Sequence, residues 1–210
     1  MKSSQTANNT HSVGCVIMAS GEGKRFGSNK LMTDFGGKPL ISNILDITGN
    51  MFADRIVVTR HADIADYCTA FDIPVLLHDL PDRSDTVRLG LSNLLCGNPC
   101  LSGCLFAVAD QPLLTRESLE QVLITFSQLN AADAIVPLSF NGTVGNPVLF
   151  GSTYFDELLN LPAKKGGGTV MKQHPHRVTP AYAKSACELM DIDTQDDFDK
   201  LNKLITYKTF

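Results

Sequence analysis

Short apolar runs alternate with longer stretches of helical periodicity along this chain. That alternation predicts an α/β fold with a mostly parallel sheet. Val13–Ala19 is apolar throughout, as a strand covered on both faces should be, and reads as the first strand. A helix is expected over 39–48, with Pro39 in its first turn. Arg55–Thr59 reads as the second strand, 63–71 as a helix and 73–77 as the third strand. A helix over 84–95 takes Ser84 or Asp85 as its cap. The run 105–109 is the fourth strand, and 115–129 an amphipathic helix capped by Thr115. Further strands are expected at 134–137, 148–150 and 189–192, and short helices at 154–159 and 169–174. Thr194 and Asp197 resemble a capping box opening a last helix over 195–205.

No repeat, low-complexity tract or linker divides this pattern, so 13–210 reads as a single domain. The polar stretch 1–12 is expected to be a disordered leader, lacking the apolar centre of a signal peptide. No apolar run reaches the ~18 residues of a membrane span, and a cytoplasmic location is expected. The net charge of −4 makes duplex nucleic acid a poor partner. Cys15 reads as a buried thiol. Cys96, Cys100 and Cys104 are spaced suggestively, but no second pair completes a zinc set. The Gly, Pro and Ser residues around them favour a turn.

The segment after the first strand carries the chemistry. It runs Ala19-Ser20-Gly21-Glu22-Gly23-Lys24-Arg25-Phe26-Gly27-Ser28-Asn29-Lys30. A Walker A loop needs G-x4-G-K-[ST], which is absent. A dinucleotide loop needs G-x-G-x-x-G and an acid near the end of the second strand. Here the glycines fall at 21, 23 and 27, and that strand ends in Thr59-Arg60. About 19 residues, 20–38, separate strand from predicted helix, against the usual two to six. Long loops at strand carboxyl ends are where open α/β sheets bind ligands. Gly21 and Gly23 allow backbone N–H groups close to an anion. Arg25 can fork two phosphate oxygens, and Lys30 adds a mobile charge. Together they suit a triphosphate.

Two acidic positions qualify as metal anchors. Asp110 ends the fourth strand and faces the same crevice. Mg²⁺ takes one or two carboxylates plus phosphates and water, so few protein ligands suffice. An Asx turn before Pro112 is the plainer explanation of Asp110. Asp191 and Asp193 share a face if the strand at 189–192 continues, and one of them could complete the site.

Together these residues resemble the molybdenum cofactor nucleotidyltransferases. The family's L-A-A-G-x-S/G-x-R-F/M-G-x-x-K pattern reads here as Met18 to Lys30, and its G-D-Q/M-P segment as Ala109 to Pro112. Three segments are similar to the cytidylyl-transferring branch: Ser84 to Leu91, Gly145 to Phe150 and Asp191 to Asp197. Ser20, Asp85, Ala109 and Asn146 depart from the pattern, and Asn146 stands where the branch has His.

The resemblance implies a three-layer Rossmann-like fold of the nucleotide-diphospho-sugar transferase (GT-A) type, with helices on both faces of the sheet. It implies that Ala19, Ser20, Gly21, Gly23, Arg25 and Lys30 bind the nucleotide, with Ser84 and Arg88 contributing. It gives Arg25, Lys30 and Asp110 the catalytic roles, and Asp110 and Asp193 the Mg²⁺ ion. Gly145, Asn146 and Pro147 would line the acceptor side. The implied reaction moves CMP from CTP to the phosphate of molybdenum-molybdopterin, with transient contact to a molybdenum hydroxylase or its maturation chaperone. GTP as donor, a sugar or alditol phosphate as acceptor, and a non-catalytic cofactor-delivery role are the competing readings. No nucleophile elbow is present, and His78, His174 and His176 read as surface or loop residues.

Overall fold

The structure, a computed structural model, describes residues 12–21, 29–52 and 54–206. Residues 1–11 of the expected leader, Gly23 and Arg25 therefore lie outside the described residues. Seven strands form one sheet in the order β3-β2-β1-β4-β6-β5-β7. These are β1 Val13–Ala19, β2 Arg55–Thr59, β3 Val75–Leu77, β4 Gly103–Val108, β5 Ile135–Phe140, β6 Thr143–Gly151 and β7 Ala181–Tyr182. β1 runs parallel to β2 and β4, β2 to β3, and β5 to β7. Only β6 runs against its neighbours, β4 and β5.

Alternation along each strand builds two apolar layers. Cys15, Ile17 and Ala19 of β1 face a core with Leu119, Val122, Phe126, Phe198 and Leu201. Val16 faces the other, with Val87, Leu91, Leu94, Leu158 and Val170. The first layer takes α1 Ser42–Thr48, α2 Ala62–Ala70, α4 Arg116–Ser127 and α7 Gln195–Thr206. The second takes α3 Arg83–Gly97, α5 Phe155–Leu159 and α6 Gly168–Gln173. The expected three-layer, mostly parallel architecture is the one observed.

Several boundaries differ for physical reasons. The helix expected over 39–48 begins at Ser42, because Pro39 is held in a bridge with Asp34. α3 is capped by Asp82, not by Ser84 or Asp85; Asp85 is its N3 acid and accepts the Asp82 N–H at 3.1 Å. The isolated strands expected near 134–137 and 148–150 are arms of one hairpin. Its turn, Asn141-Gly142, has φ of 48° and 83°, the left-handed pair that two-residue hairpins use. No strand forms at 189–192: Ala186–Leu189 is a 3-10 turn and extended chain follows. The shared strand face expected for Asp191 and Asp193 is therefore absent. Cys15 and Cys104 are buried, Cys96 and Cys100 exposed, and all are free thiols. Burial pushes the Cys15 thiol up to about 12.

Two devices fix the carboxyl end of the sheet. Gly90 lets α3 approach β1 and β2: an added Cβ would lie 2.5 Å from Val16 Cγ1 and 3.1 Å from Val58 Cγ2. Glu188, only 3% exposed, clamps the chain before Asp191 onto the start of α4. Its carboxylate accepts the Thr115 hydroxyl at 2.6 Å and N–H at 3.2 Å, and the Lys184 N–H at 3.0 Å. Burial alone would raise this carboxyl's pKa. The hydrogen bonds outweigh it and hold the pKa below the ordinary 4.5.

Gly90→Ala is expected to destabilise the fold by roughly 1–3 kcal/mol, measured by urea denaturation, although alanine favours a helix by about 1 kcal/mol. An unchanged midpoint would refute the close approach. Glu188→Gln is expected to cost roughly 1.5–3 kcal/mol at neutral pH. A depressed folded pKa means the contribution is complete above the unfolded value and fades as pH falls through the folded one. The gap between wild type and variant should close on acidification below about 4.5. A gap independent of pH would show that the carboxylate charge plays no part.

Candidate functional site

Strand order reverses between β1 and β4, where an open α/β sheet has its ligand crevice beyond the carboxyl ends. A cleft of about 270 Å³ opens there. It is lined by Met18, Ser20 and Gly21 from β1 and its loop, Arg60 after β2, and Val108 and Asp110 of the β4 end. Pro81, Asp82, Arg83 and Thr86 at the start of α3 close it. A smaller cavity of about 80 Å³ adjoins it, sharing Met18, Arg83 and Val108. Its other walls are apolar side chains of β4, β6 and α5, with Asn146 and the backbone of Gly166, Gly167 and Gly168.

Lys30 anchors the floor. Asn29 caps the turn Lys30–Met32 by accepting the Leu31 N–H at 3.3 Å, and Leu31 is buried in the core. Lys30 is thereby carried inward until only 6% of it is exposed. Its Nζ lies 2.7 Å from Asp110 Oδ2, 3.3 Å from Asp193 Oδ1 and 2.5 Å from the Ile192 carbonyl. The freely moving charge expected of Lys30 is instead a fixed one. The Asp193 segment is held in place independently. The Ile192 N–H donates to the Asp110 carbonyl at 3.0 Å, and Gln111 Nε2 to the Leu189 carbonyl at 3.3 Å. Thr194 and Asp197 form the expected capping box of α7, exchanging bonds of 2.9 and 3.2 Å.

Asp110 and Asp193, far apart in sequence, therefore meet on one ammonium, with Asp191 beside them. Desolvation and then the Asp110 charge raise the Asp191 pKa to about 6, although the residue keeps an exposed face. Three carboxylates thus gather around one ammonium, an arrangement that suits a cation. Among the described residues no three His, Cys, Asp or Glu side chains converge tightly enough to hold a metal alone.

The other expected positions divide. Gly21 lines the cleft, and a Cβ there would meet nothing within 4 Å. Ala19 is 1% exposed, its carbonyl taken by the Thr59 hydroxyl at 3.0 Å. Ser84 is buried and does not line the cleft, whereas its neighbours Arg83 and Thr86 do. Arg88 points along the helix surface, 2.7 Å from Asp85. Asn146 lines the smaller cavity, Pro147 is buried, and Gly145 packs against Leu189.

Sequence reasoning missed three cleft features. Arg60 and His78 sit just past β2 and β3, where the strand-end rule points. His78, expected as a surface or loop residue, lies in the loop after β3 and is half-buried, with Nε2 3.0 Å from the Ser20 hydroxyl, which also meets the Val58 carbonyl at 3.2 Å. Burial and then the Arg60 charge hold its pKa below the usual 6.5. His174 instead pairs with Glu157 at 2.8 Å. Arg83 had no motif signal, because it precedes the segment that was matched.

Comparison with known proteins agrees with this geometry. The purine catabolism protein PucB of Bacillus subtilis is 24% identical over 91% of this chain and 96% of its own. A probable molybdenum cofactor guanylyltransferase of Thermococcus gammatolerans is 25% identical over 90% of this chain and 98% of its own. The crystal structure of Rv0371c from Mycobacterium tuberculosis superposes with a TM-score of 0.79 at 24% identity, covering 92% of this chain and 99% of that one. The same protein has been crystallised as a complex with manganese. Residues 15–178 match the MobA-like NTP transferase domain, and the chain belongs to this family of nucleotidyltransferases.

Proposed function

We propose that the protein transfers CMP from CTP to the terminal phosphate of molybdenum-molybdopterin, with Mg²⁺, and releases pyrophosphate. The observation that carries this is the junction of two cavities beside the Lys30–Asp110–Asp193 cluster. Two substrates can meet there next to a charge cluster suited to a divalent ion and a triphosphate. The larger cleft, with Gly21, takes the nucleotide. The smaller one, with Asn146, takes the acceptor. The cytidylyl preference rests on the likeness of Gly145 to Phe150 and Asp191 to Asp197 to that branch. GTP is the second donor to test, because a relative of nearly full coverage is named a guanylyltransferase.

In the reaction an acceptor phosphate oxygen bonds to the α-phosphorus of CTP. The bond from that phosphorus to the bridging oxygen of the β-phosphate breaks, and its electron pair leaves with pyrophosphate. A phosphate monoester with a second pKa of about 6 is already largely a dianion, so no general base is required. A bound Mg²⁺ would neutralise phosphate charge. Asp110 and Asp193 would hold it. Lys30 keeps those carboxylates together and sets their direction, while Arg25 forks the phosphates. Asn146 offers the acceptor an amide in place of the branch's His.

Pyrophosphate release with CTP, GTP, ATP and UTP, each with and without molybdenum cofactor, tests the reading. Release is expected with CTP plus cofactor and to stop on chelation of the metal. Release with GTP alone among the nucleotides would move the assignment to guanylyl transfer, and none under any condition would sink it. Arg25→Ala should lose turnover by roughly 100-fold or more while keeping its circular dichroism. Asp110→Asn should raise the Mg²⁺ concentration needed for half-maximal rate. If it merely lowered stability and left the Mg²⁺ response intact, Asp110 would be a structural partner of Lys30.

A further inference from the structure

Arg83 is the first residue of α3 and lines both cavities. Among the described residues it makes no hydrogen bond or ion pair, while its neighbour Arg88 is tied to Asp85. Its stem is nevertheless held. A Cβ on Gly166 would lie 3.0 Å from Arg83 Cδ, so the glycine backbone packs directly on the side chain. The position is electrostatically unusual. α3 is 15 residues long, and the positive end of a helix disfavours a cation in its first turn. Asp85 in the same turn is occupied by Arg88 and the Asp82 N–H. Asp82 also lines the larger cleft but makes no ion pair with Arg83. Arg83 is an exposed residue, and it and the helix N-terminus bring positive charge to the edge of both cavities. In the smaller cavity Arg83 is the sole charged side chain among the described lining residues. The rest is Asn146, glycine backbone and the apolar surface of residues such as Phe106, Val148 and Phe150.

We propose that Arg83 binds the phosphate monoester of the acceptor, at the seam between the cavities, with the acceptor's less polar body in the smaller one. This rests on the nucleotidyl-transfer reading. A guanidinium can fork two oxygens of a phosphate dianion and leave the third to attack. Held there, the attacking oxygen stands at the edge of the nucleotide cleft. Asp110 lines the larger cleft and not the smaller, so the two substrates would meet where the cavities share Met18, Arg83 and Val108. Gly168, where a Cβ would meet nothing within 4 Å, leaves the acceptor room.

The test separates acceptor from nucleotide. In steady-state assays with CTP and molybdenum cofactor, Arg83→Gln should raise the KM of the cofactor at least tenfold and leave that of CTP within threefold. Arg83→Lys, which keeps the charge and loses the fork, should fall between. A rise confined to the CTP KM would assign Arg83 to the nucleotide and overturn the proposal, as would no change in either. A binding arm needs no turnover: inorganic phosphate, added to protein saturated with a non-hydrolysable CTP analogue, should raise the melting temperature of wild type but not of Arg83→Gln. Equal shifts in the two, or none in wild type, would also overturn the proposal. Wild type that turns over no nucleotide would sink the transfer reading and leave the phosphate arm to decide on Arg83.

Discussion

The buried ammonium of Lys30 is the interaction on which the rest of the site depends. An unpaired charge with 6% exposure would cost several kcal/mol, so Lys30 can occupy this place only with its partners present. Those partners come from two distant parts of the chain: Asp110 after β4, and Ile192 and Asp193 before α7, both reached from the loop after β1. One side chain therefore ties the nucleotide loop to both candidate metal carboxylates. It also explains why the chain from Glu188 to Asp193 can do without a strand. Its carbonyls and acids are satisfied by Lys30, Thr115 and Gln111, not by a sheet neighbour.

The same arrangement sets the electrostatics of the cleft. Asp110, Asp191 and Asp193 lie near one another with Lys30 among them, so the cluster keeps a surplus of negative charge. Burial first, and then the Asp110 charge, raise the Asp191 pKa. Across the cleft, Arg60 and Arg83 supply charge of the opposite sign. A nucleotide triphosphate with its metal carries both signs and can satisfy both sides at once, which neither a bare anion nor a bare cation can do.

Sheet, layers and crevice were legible in the chain because strands covered on both faces are short and uniformly apolar. β1 and β2 were readable to the residue for that reason. What was not legible depended on long-range partners. Extended chain at 189–192 has the composition of a strand, but its polar groups bond to side chains and to the Asp110 carbonyl. Lys30 looked like a solvated phosphate ligand because nothing nearby in sequence shows that Leu31 pulls it inward. Ser84 and Arg88 lie in the matched segment, yet a helix turns about 100° per residue, and it is Arg83 and Thr86 that face the cleft. The Asn141-Gly142 hairpin was available locally, as two residues that tolerate positive φ between apolar runs.

The two departures from the family pattern that touch the cavities have different weight. The extra hydroxyl of Ser20 is absorbed within the protein, between the Val58 carbonyl and His78 Nε2. A polar atom so engaged alters the cleft wall little, and burial and then the Arg60 charge disfavour a proton on His78. Asn146 makes no comparable bond among the described residues and lines the smaller cavity. An amide cannot gain the charge that an imidazole gains on protonation, so this wall stays neutral at every physiological pH. Positive charge at the edge of this cavity comes instead from another element, through Arg83 on α3. The departure at Ser20 is thus compensated within the protein, while the departure at Asn146 changes the wall of the smaller cavity.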